Sequence, residues 1–382
     1  MQIIRFLVAC FVCLCGADLA LAEIKIGVVA SLSGPAALIG TAQKNTVSMF
    51  PTNIGGVKVE YIILDDAGDP KQALASLRKL QDELKVDAVL GPSTVPSAEV
   101  MVNAMENSNT PLLMTVVSAS LGSPVSEGYK WTFKTTQSDE LLADKLIVHM
   151  QWNRVNTLGF IGFNDVYGKN WHKIINRKAG KAFIDITASM GFDRTDSSVS
   201  EQVARIISTR PDAVLVAASG EPALVPQFAL RDMGYKGLIY QTHGVASSEF
   251  IRLGGKRVEG VLVASDPVLV ADDLSKGNPV KLVAQAYVQD YEKRFGAGSA
   301  SAYGARIFDA GLLLQSAIPR ALKKAVPGSL QFRQALRDEL EQIRELTGTQ
   351  GVFRMSPLDH NGMDRRSCVI MKVQNGRWVL VK

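Results

Sequence analysis

The sequence predicts an α/β protein built as two lobes, and three observations support this fold class. Short apolar runs alternate with longer amphipathic stretches, which is typical of strand–helix–strand units around a parallel sheet. This alternation runs through the first third of the chain and starts again near residue 139. The chain has 382 residues, which is enough for two ordinary domains.

The first series of elements gives one lobe. Its strands are predicted at residues 24–30, 57–64, 88–90 and 111–115. After the second strand, Asp69 and Pro70 predict the start of a helix, because Asp caps free N–H groups and Pro suits the first turn. Another helix is predicted at residues 96–107, so these strands are expected to be parallel.

The second series gives the other lobe. Its strands are predicted at residues 157–163, 213–217, 237–241 and 258–264, with helices at 139–151, from Gly168, and at 222–233. Residues 279–345 look helical, and Asn375-Gly376 predicts a hairpin turn. The sequence contains no low-complexity linker, so we expect several crossing strands between the lobes. Residues 23–138 with 268–347 are assigned to the first lobe, and residues 139–267 with 348–382 to the second.

Residues 1–22 have the pattern of a secretory signal peptide. Arg5 supplies a positive charge, residues 6–16 are apolar, and the small residues before position 23 predict cleavage after Ala22. The apolar stretch is shorter than the roughly 20 residues of a membrane span. A short anchor and a lipoprotein box ending at Cys10 are the alternatives. Cys368 is the one cysteine beyond this segment, so the exported chain cannot form an intrachain disulfide and depends on its core.

The composition and motifs argue against several function classes. The net charge of +5 is dispersed, so nucleic acid is not an expected partner. The sequence has no P-loop, G-x-S-x-G or H-E-x-x-H motif, no G-x-G-x-x-G after its first strand, and scattered histidines. Asp65, Asp66 and Asp69 suggest a cation site, as do residues 359–364, but turns and a helix cap explain both better. No catalytic residue, metal or cofactor is predicted.

The loops that follow the strands carry the candidate ligand site, because ligands of open parallel sheets bind beyond the carboxyl ends of the strands. The loop after the third strand contains Ser93, Thr94 and Ser97, and a helix begins near Pro96. Hydroxyl groups and the free N–H groups of a helix N-terminus bind a carboxylate without any Lys or Arg. The alternative is that Thr94 or Ser97 only caps the helix.

The remaining candidates follow the other strands and are expected to face the same cleft. In the first lobe they are Leu38, Ile39, Ser118, Ala119 and Ser120. In the second lobe they are Tyr167, Ser219, Glu221 and His243. For Tyr167 two roles are open, since the ring either closes over a ligand or packs in the core.

Motifs spread over nearly the whole chain after residue 22 carry a family resemblance. They are Ile24-Lys25-Ile26-Gly27, Leu32-Ser33-Gly34-Pro35, Asp65-Asp66-Ala67-Gly68-Asp69-Pro70, Gly91-Pro92-Ser93-Thr94, Tyr167-Gly168, Asp212-Ala213-Val214 and Gly234-Tyr235. In this order and spacing the chain resembles the branched-chain amino-acid-binding proteins of bacterial ABC importers. The resemblance implies the type I periplasmic-binding fold, in which two Rossmann-like lobes, joined by three crossover strands, enclose the ligand. It also implies that the 93–97 and 118–120 loops hold the ligand's carboxylate and that Tyr167 closes over the ligand.

One departure from the family pattern concerns the ligand. Family members that bind amino acids place a carboxylate near the position of His243, where it pairs with the ligand's α-ammonium. A histidine is a poor partner for an ammonium and a good one for an oxygen acceptor, although Glu221 could substitute. The stretches 242–245 and 355–360 are similar to a branch of the family associated with aromatic and other organic acids. We therefore expect a small carboxylate ligand without an α-amino group, such as an aromatic acid.

The expected function is that of an extracytoplasmic solute-binding protein in the periplasm. It would capture the carboxylate by hinge closure and deliver it to the permease of an ABC importer. The chain is expected to be a monomer that meets the membrane only through the permease, and neither enzymatic activity nor a cofactor is expected. Two alternatives remain: a sensor on the same fold, and a hydrolase that uses His243 with Glu221 or Asp266.

Overall fold

The computed structural model describes residues 23–118, 121 and 129–381. The predicted signal peptide and two of the candidate site residues, Ala119 and Ser120, lie outside the described residues. The described chain forms two separate main sheets, each flanked by helices, and a small two-stranded hairpin.

The first sheet has six strands in the order β2-β3-β1-β4-β5-β6. Its strands are β1 Ile24–Ala30, β2 Asn53–Ile54, β3 Val57–Asp65, β4 Ala88–Leu90, β5 Leu112–Met114 and β6 Thr132–Lys134. All of its pairings are parallel except that of β2 with β3. The sequence analysis predicted four of these strands and missed β2 and β6, which have only two and three residues.

The second sheet has seven strands in the order β15-β14-β11-β10-β9-β7-β8. They are β7 Thr157–Phe163, β8 Asp185–Phe192, β9 Ala213–Ala217, β10 Leu238–Gln241, β11 Leu262–Ser265, β14 Val369–Gln374 and β15 Arg377–Leu380. The strands from β7 to β11 pair in parallel, and β14 and β15 add an antiparallel edge. The hairpin between them turns at Asn375 and Gly376, both with positive φ, so this prediction is confirmed. Strand β8 was missed because this half-exposed edge strand lacks an apolar run.

Eleven α-helices lie within the described residues. They are α1 Ala37–Val47, α2 Pro70–Arg78, α3 Val95–Ala104, α4 Asp139–Trp152, α5 Val166–Lys181, α6 Ser200–Ser208, α7 Leu224–Asp232, α8 Ser248–Gly254, α9 Lys281–Phe295, α10 Ala302–Ala321 and α11 Leu330–Glu341. The predicted cap of α2 is confirmed, because the Asp69 carboxylate accepts hydrogen bonds from the backbone N–H groups of Lys71 and Gln72. The region predicted to be helical after residue 279 contains α9, α10 and α11.

The chain passes between the two sheets three times, as the resemblance implied. It first crosses after β6, at residues 135–138, into α4. It crosses a second time after β11, through Asp266, toward α9 and α10. It crosses a third time between the small hairpin of β12 Leu346–Thr347 with β13 Val352–Phe353 and strand β14. The fold is therefore the two-lobed α/β architecture that the sequence predicted.

Packing rather than cross-linking holds the lobes. One apolar cluster joins the first sheet to α10 and α11 through side chains such as Ile26, Leu314 and Phe332. Each such buried side chain contributes about 1.5–3 kcal/mol relative to its exposed state. Phe353 belongs to the same cluster, so the third crossing packs against the first sheet at that point. Cys368 is buried and unpaired, and its burial raises the pKa of the thiol.

Candidate ligand-binding cleft

A small cavity lies between the carboxyl ends of the two parallel sheets. Its lining residues from the first lobe are Ile39, Gln43, Ser93, Thr94, Val95, Thr115, Val116 and Val117. From the second lobe and α10 they are Tyr167, Arg194, Ser219, His243, Gly244, Tyr303 and Arg306. The cavity therefore unites strand-end loops of both lobes, as expected for an open parallel sheet.

The N-terminus of α3 opens into this cavity. Thr94 is its N-cap, with extended backbone, and its side-chain oxygen accepts a hydrogen bond of 3.3 Å from the backbone N–H of Ser97. Val95 and Pro96 form the first turn, where Pro96 has no N–H and the backbone N–H of Val95 has no partner inside the helix. Thr94 thus caps the helix and also lines the cavity, so the two roles weighed for it are compatible.

Ser93 occupies a hydrogen-bond network behind the cavity wall. Its hydroxyl accepts from the backbone N–H of Ser31 at 2.9 Å and donates to the side-chain oxygen of Gln43. The Gln43 amide in turn donates to the hydroxyl of Thr115 at 2.9 Å, and Thr115 donates to the carbonyl of Pro92. This network uses the hydroxyls of Ser93 and Thr115 within the protein, so both side chains position the loops around the cavity.

Tyr167 lies in the first turn of α5, on the opposite wall. Asp165 caps that helix by accepting from the backbone N–H groups of Tyr167 and Gly168. The Tyr167 hydroxyl shares a hydrogen bond of 2.7 Å with the hydroxyl of Thr242. Gly168 is required here, because a Cβ atom would lie 2.0 Å from the carbonyl oxygen of Phe163. Tyr167 both packs in the second lobe and presents a surface to the cavity.

His243 is a neutral group at the cavity. It follows β10 and is buried, with ring contacts to Tyr167 and Trp171 at centroid distances of 5.8 and 5.9 Å. Burial and the positive charge of Arg306 hold the pKa of His243 well below its ordinary value of 6.5. Its Nδ1 has no hydrogen-bond partner among the described residues. A neutral imidazole has one donor and one acceptor nitrogen, which suits an oxygen-bearing ligand better than an ammonium.

Two arginines that the sequence analysis did not single out line the cavity. Arg194 donates from Nε to Asp165 at 2.7 Å and from Nη1 to the Ser219 hydroxyl at 3.1 Å, with its guanidinium 4.1 Å from the centre of the Phe163 ring. Arg306 of α10 is 4% exposed and donates from Nη2 to Asp266 at 3.1 Å. Neither of their carboxylate partners, Asp165 and Asp266, lines the cavity.

The structure shows the lobes in contact at the cleft. The Tyr303 hydroxyl donates a hydrogen bond of 2.6 Å to the carbonyl of Gly244, which joins α10 to the loop after β10. Burial raises the pKa of Tyr303 to about 12, so the hydroxyl keeps its proton. At another edge of the cleft, Gly220 has positive φ, and a Cβ there would lie 3.6 Å from the carbonyl oxygen of Pro35. The described arrangement is therefore a closed one.

Six of the predicted site residues line the cavity and four described ones do not. Those at the cavity are Ile39, Ser93, Thr94, Tyr167, Ser219 and His243. Those away from it are Leu38, Ser97, Ser118 and Glu221.

The position of each of these four residues has a local cause. Glu221 is exposed because it starts a short 3-10 turn that directs its side chain to solvent. Ser97 is buried in the first turns of α3, and its hydroxyl has no partner among the described side chains and backbone groups. The Ser118 carbonyl accepts a hydrogen bond of 2.8 Å from the buried ammonium of Lys134. Leu38 packs beside Ile39 in a small apolar cluster.

The acidic runs serve as turns and caps. Asp65 accepts hydrogen bonds from the backbone N–H groups of Leu32 and Ala67, and Asp66 accepts from the Ser31 hydroxyl and Gly68. Asp359 accepts from two backbone N–H groups of its own turn. Across residues 23–118, 121 and 129–381, no group of three or more His, Cys, Asp or Glu side chains is placed to hold a metal ion. Over the same residues, none of the helices combines the length and hydrophobicity of a membrane span.

A two-lobed fold with a cavity between the lobes is the architecture of proteins that enclose small solutes. A family model described as periplasmic binding protein matches residues 23–377. The Leu/Ile/Val-binding protein homolog 3 of Brucella melitensis is 26% identical over 283 residues, which are 71% of this chain and 73% of that protein. The crystal structure of an extracellular ligand-binding receptor from Rhodopseudomonas palustris HaA2 is 39% identical, has a TM-score of 0.91, and covers 94% of this chain and 100% of that one.

The chain belongs to the periplasmic binding protein family and has the type I fold, and Leu/Ile/Val-binding proteins are among the proteins that it is similar to. A more distant structure is a solute-binding protein of an ABC transporter from R. palustris in complex with benzoate. It is 17% identical, has a TM-score of 0.80, and covers 94% of this chain and 95% of that one, which shows a shared fold.

Proposed function

We propose that this protein is the exported solute-binding component of an ABC importer and that it captures a small organic carboxylate without an α-ammonium group. The observation that carries this proposal is the charge of the cavity lining. Among the described lining residues, two are arginines and none is an aspartate or glutamate. A zwitterionic amino acid would bring its ammonium into a wall that lacks a carboxylate, whereas an acid has only favourable partners there.

The ligand's carboxylate is proposed to bind the N-terminus of α3, where Thr94 and the N–H of Val95 meet the cavity. A helix N-terminus combines free N–H donors with partial positive charge, so it stabilises an anion. The apolar part of the ligand would pack against Ile39 and Val117 from the first lobe and Tyr167 from the second. Contacts from both lobes exist together only in the closed arrangement, so binding favours closure.

Related proteins support both the transport role and the choice of ligand class. The distant neighbour described as the solute-binding protein of an ABC transporter in complex with benzoate supports both, whereas the names of the Leu/Ile/Val-binding relatives favour an amino acid, which the screen below includes. We propose that the chain is exported to the periplasm after cleavage at Ala22 and acts as a monomer with a permease. The hydrolase alternative lacks support, because Asp266 is paired with Arg306, Glu221 is exposed, and His243 Nδ1 has no partner in the described structure.

A calorimetric screen of the purified protein tests the proposal. Benzoate, phenylacetate and butanoate are compared with leucine, valine and isoleucine at neutral pH. We expect at least one of the acids to bind with a 1:1 stoichiometry and to be recovered intact. Binding of leucine or valine without binding of any of these acids would overturn the proposed ligand class, and turnover of a bound acid would favour an enzyme.

A further inference from the structure

We infer that Arg306 is the specificity-determining cation of the cleft and that it links the negative charge of the ligand to the closed position of the lobes. This inference rests on the function proposed above. It goes further, because it assigns charge recognition to one side chain in a helix, outside the strand-end loops. It also assigns that side chain a part in closure.

The first step concerns the incomplete pairing of Arg306. Arg306 is 4% exposed as a residue, and within the described residues its guanidinium makes one hydrogen bond, from Nη2 to Asp266, while its Nε has no partner. The other carboxylate oxygen of Asp266, Oδ1, also has no hydrogen-bond partner among the described residues. A buried guanidinium has five N–H donors and is stable only when an anion or several acceptors satisfy them. A ligand oxyanion in the cavity would supply acceptors that the protein does not.

The second step concerns the place of Arg306 among the three crossings. The Thr135 hydroxyl, on the first crossing, donates to the backbone carbonyl of Arg306 at 3.1 Å. Asp266 begins the second crossing and pairs with the Arg306 side chain. The Thr349 hydroxyl, before the third crossing, donates to the carbonyl of Ala305 at 3.3 Å. One helical turn of α10 therefore contacts the first two connections between the lobes and the hairpin that precedes the third.

The third step concerns Asp309, one turn further along α10. Its carboxylate accepts hydrogen bonds from the backbone N–H groups of Thr349 and Gln350 at 2.7 and 3.2 Å and from both side chains. The Gln350 amide also donates to the carbonyl of Thr135, which joins the first connection to the hairpin that precedes the third. Arg306 is thus bonded to two of the connections between the lobes and also lines the cavity. A ligand that binds its guanidinium would therefore be linked to the hinge region through Arg306 alone.

The expected consequence is a preference for acids over their neutral amides that depends on Arg306. A benzamide has nearly the shape of benzoate but no net charge, so the ratio of their affinities measures charge recognition. A hydrogen bond to a charged group typically changes an equilibrium constant by about 10- to 100-fold. We expect Arg306→Met to reduce the acid-to-amide affinity ratio by about this factor, and Arg306→Lys to retain part of it because the charge remains without the fork of donors.

The experiment measures calorimetric affinities for benzoate, phenylacetate and butanoate, each against its primary amide, in the full-length mature protein. Arg320→Met is the matched control, because Arg320 lies on the same helix and pairs with Glu339 away from the cavity. This control should lose some stability and keep the wild-type affinity ratio. Small-angle X-ray scattering with saturating benzoate should show compaction of the wild type and a smaller compaction of Arg306→Met.

In Arg306→Met the buried Asp266 loses its partner, which destabilises the fold. The same affinity and scattering measurements are therefore also made on the double variant Arg306→Met/Asp266→Asn, which removes both charges. If either folded variant keeps the wild-type acid-to-amide ratio and compaction, the inference is overturned while the proposed function stands. If the wild type binds none of the three acids, the proposed function fails first and this inference fails with it.

Discussion

The Tyr303 hydroxyl donates a hydrogen bond of 2.6 Å to the backbone carbonyl of Gly244, and this bond spans the ligand cleft. Tyr303 packs with Ala36 and Ile39 of the first lobe, whereas Gly244 belongs to the loop after β10 in the second. Both residues also line the cavity. The bond therefore joins α10 to the second lobe at the wall of the cavity and should contribute to ligand affinity.

Tyr303→Phe should weaken ligand binding by about 2- to 12-fold, because a hydrogen bond of this kind contributes about 0.5–1.5 kcal/mol. The ring and its packing are retained, so the fold should persist. Titration calorimetry with the best acid of the screen measures the change. Tyr235→Phe is the matched control, because its hydroxyl donates to the carbonyl of Pro211 within the second lobe. Equal affinities of Tyr303→Phe and the wild type would contradict the cross-cleft role.

Thr94→Ala should lower both stability and affinity, because it removes the cap of α3 and a hydroxyl at the cavity. Loss of a cap costs about 1 kcal/mol, and we expect affinity to fall by about tenfold. Ser97→Ala is the comparison, since its buried hydroxyl has no partner in the described part of the chain. Removing an unsatisfied polar group should leave stability unchanged or raised. Chemical denaturation and calorimetry on both variants distinguish them, and a tenfold loss of affinity in Ser97→Ala would make Ser97 a ligand contact.

Gly168→Ala should destabilise the second lobe by about 1–3 kcal/mol, because the added Cβ would overlap the backbone carbonyl of Phe163. Since Gly168 follows Tyr167, ligand affinity should fall as well. Gly180→Ala, on the same helix, provides the control because nothing lies within 4 Å of its added Cβ. That control should be unchanged or up to about 1 kcal/mol more stable. Thermal and urea unfolding measure both, and equal stabilities would contradict the close approach of α5 to β7.

His243 should make the folded state less stable in acid. Its pKa is held well below 6.5 in the folded protein by burial and by Arg306. Below about pH 6.5 the unfolded chain therefore binds a proton that the folded chain does not, and the free energy of unfolding falls by up to about 1.4 kcal/mol per pH unit. His243→Gln should flatten this decline between about pH 6.5 and 5.

Other groups titrate in the same range, so the prediction concerns the difference between the two proteins. Burial also lowers the pKa of His149, which acts in the same direction as His243. The pKa of Asp309 is raised by burial to about 7 from 3.8, so this carboxyl contributes stability that is lost as the pH rises toward 7. Both groups are present in wild type and variant. If the free energy of unfolding depends on pH in the same way for the wild type and His243→Gln, His243 is not the group whose lowered pKa destabilises the folded protein in acid.

Most strands and helices were predictable because local pattern and burial agree. Strand β1 is a nearly continuous apolar run, and Asp69-Pro70 starts α2 through a cap that needs no tertiary contact. Strand β8 lacks a continuous apolar run, but Ile186, Ala188, Met190 and Phe192 alternate with polar residues and Gly191, which is the pattern of a half-buried strand. Its place in the sheet depends on pairing with β7, which is a non-local interaction.

The candidate site was predictable only where it follows strands. Thr94, Tyr167 and His243 lie in strand-end loops and meet at the cavity. Arg306 was missed because it reaches the cavity from the first turns of a helix. A signal was present in the sequence, since Arg306 is a lone charge within the small and apolar run from Ala302 to Ile307. Glu221 was expected to face the cleft because it lies in a strand-end loop, but its side chain is exposed to solvent, since a position in such a loop does not fix the direction of a side chain.

One turn of α10 contacts the first two crossings and the hairpin that precedes the third, and this has a mechanical consequence. A rotation of the lobes has its pivot where these connections converge, and groups beside a pivot travel much less than groups at the lips of the cleft. Gly220 and Pro35 would separate as the cleft opens, while the guanidinium of Arg306 would stay almost in place. An anion that enters the open cleft would therefore contact the Arg306 guanidinium at the base of the cleft, and the same contact would persist after the lobes close.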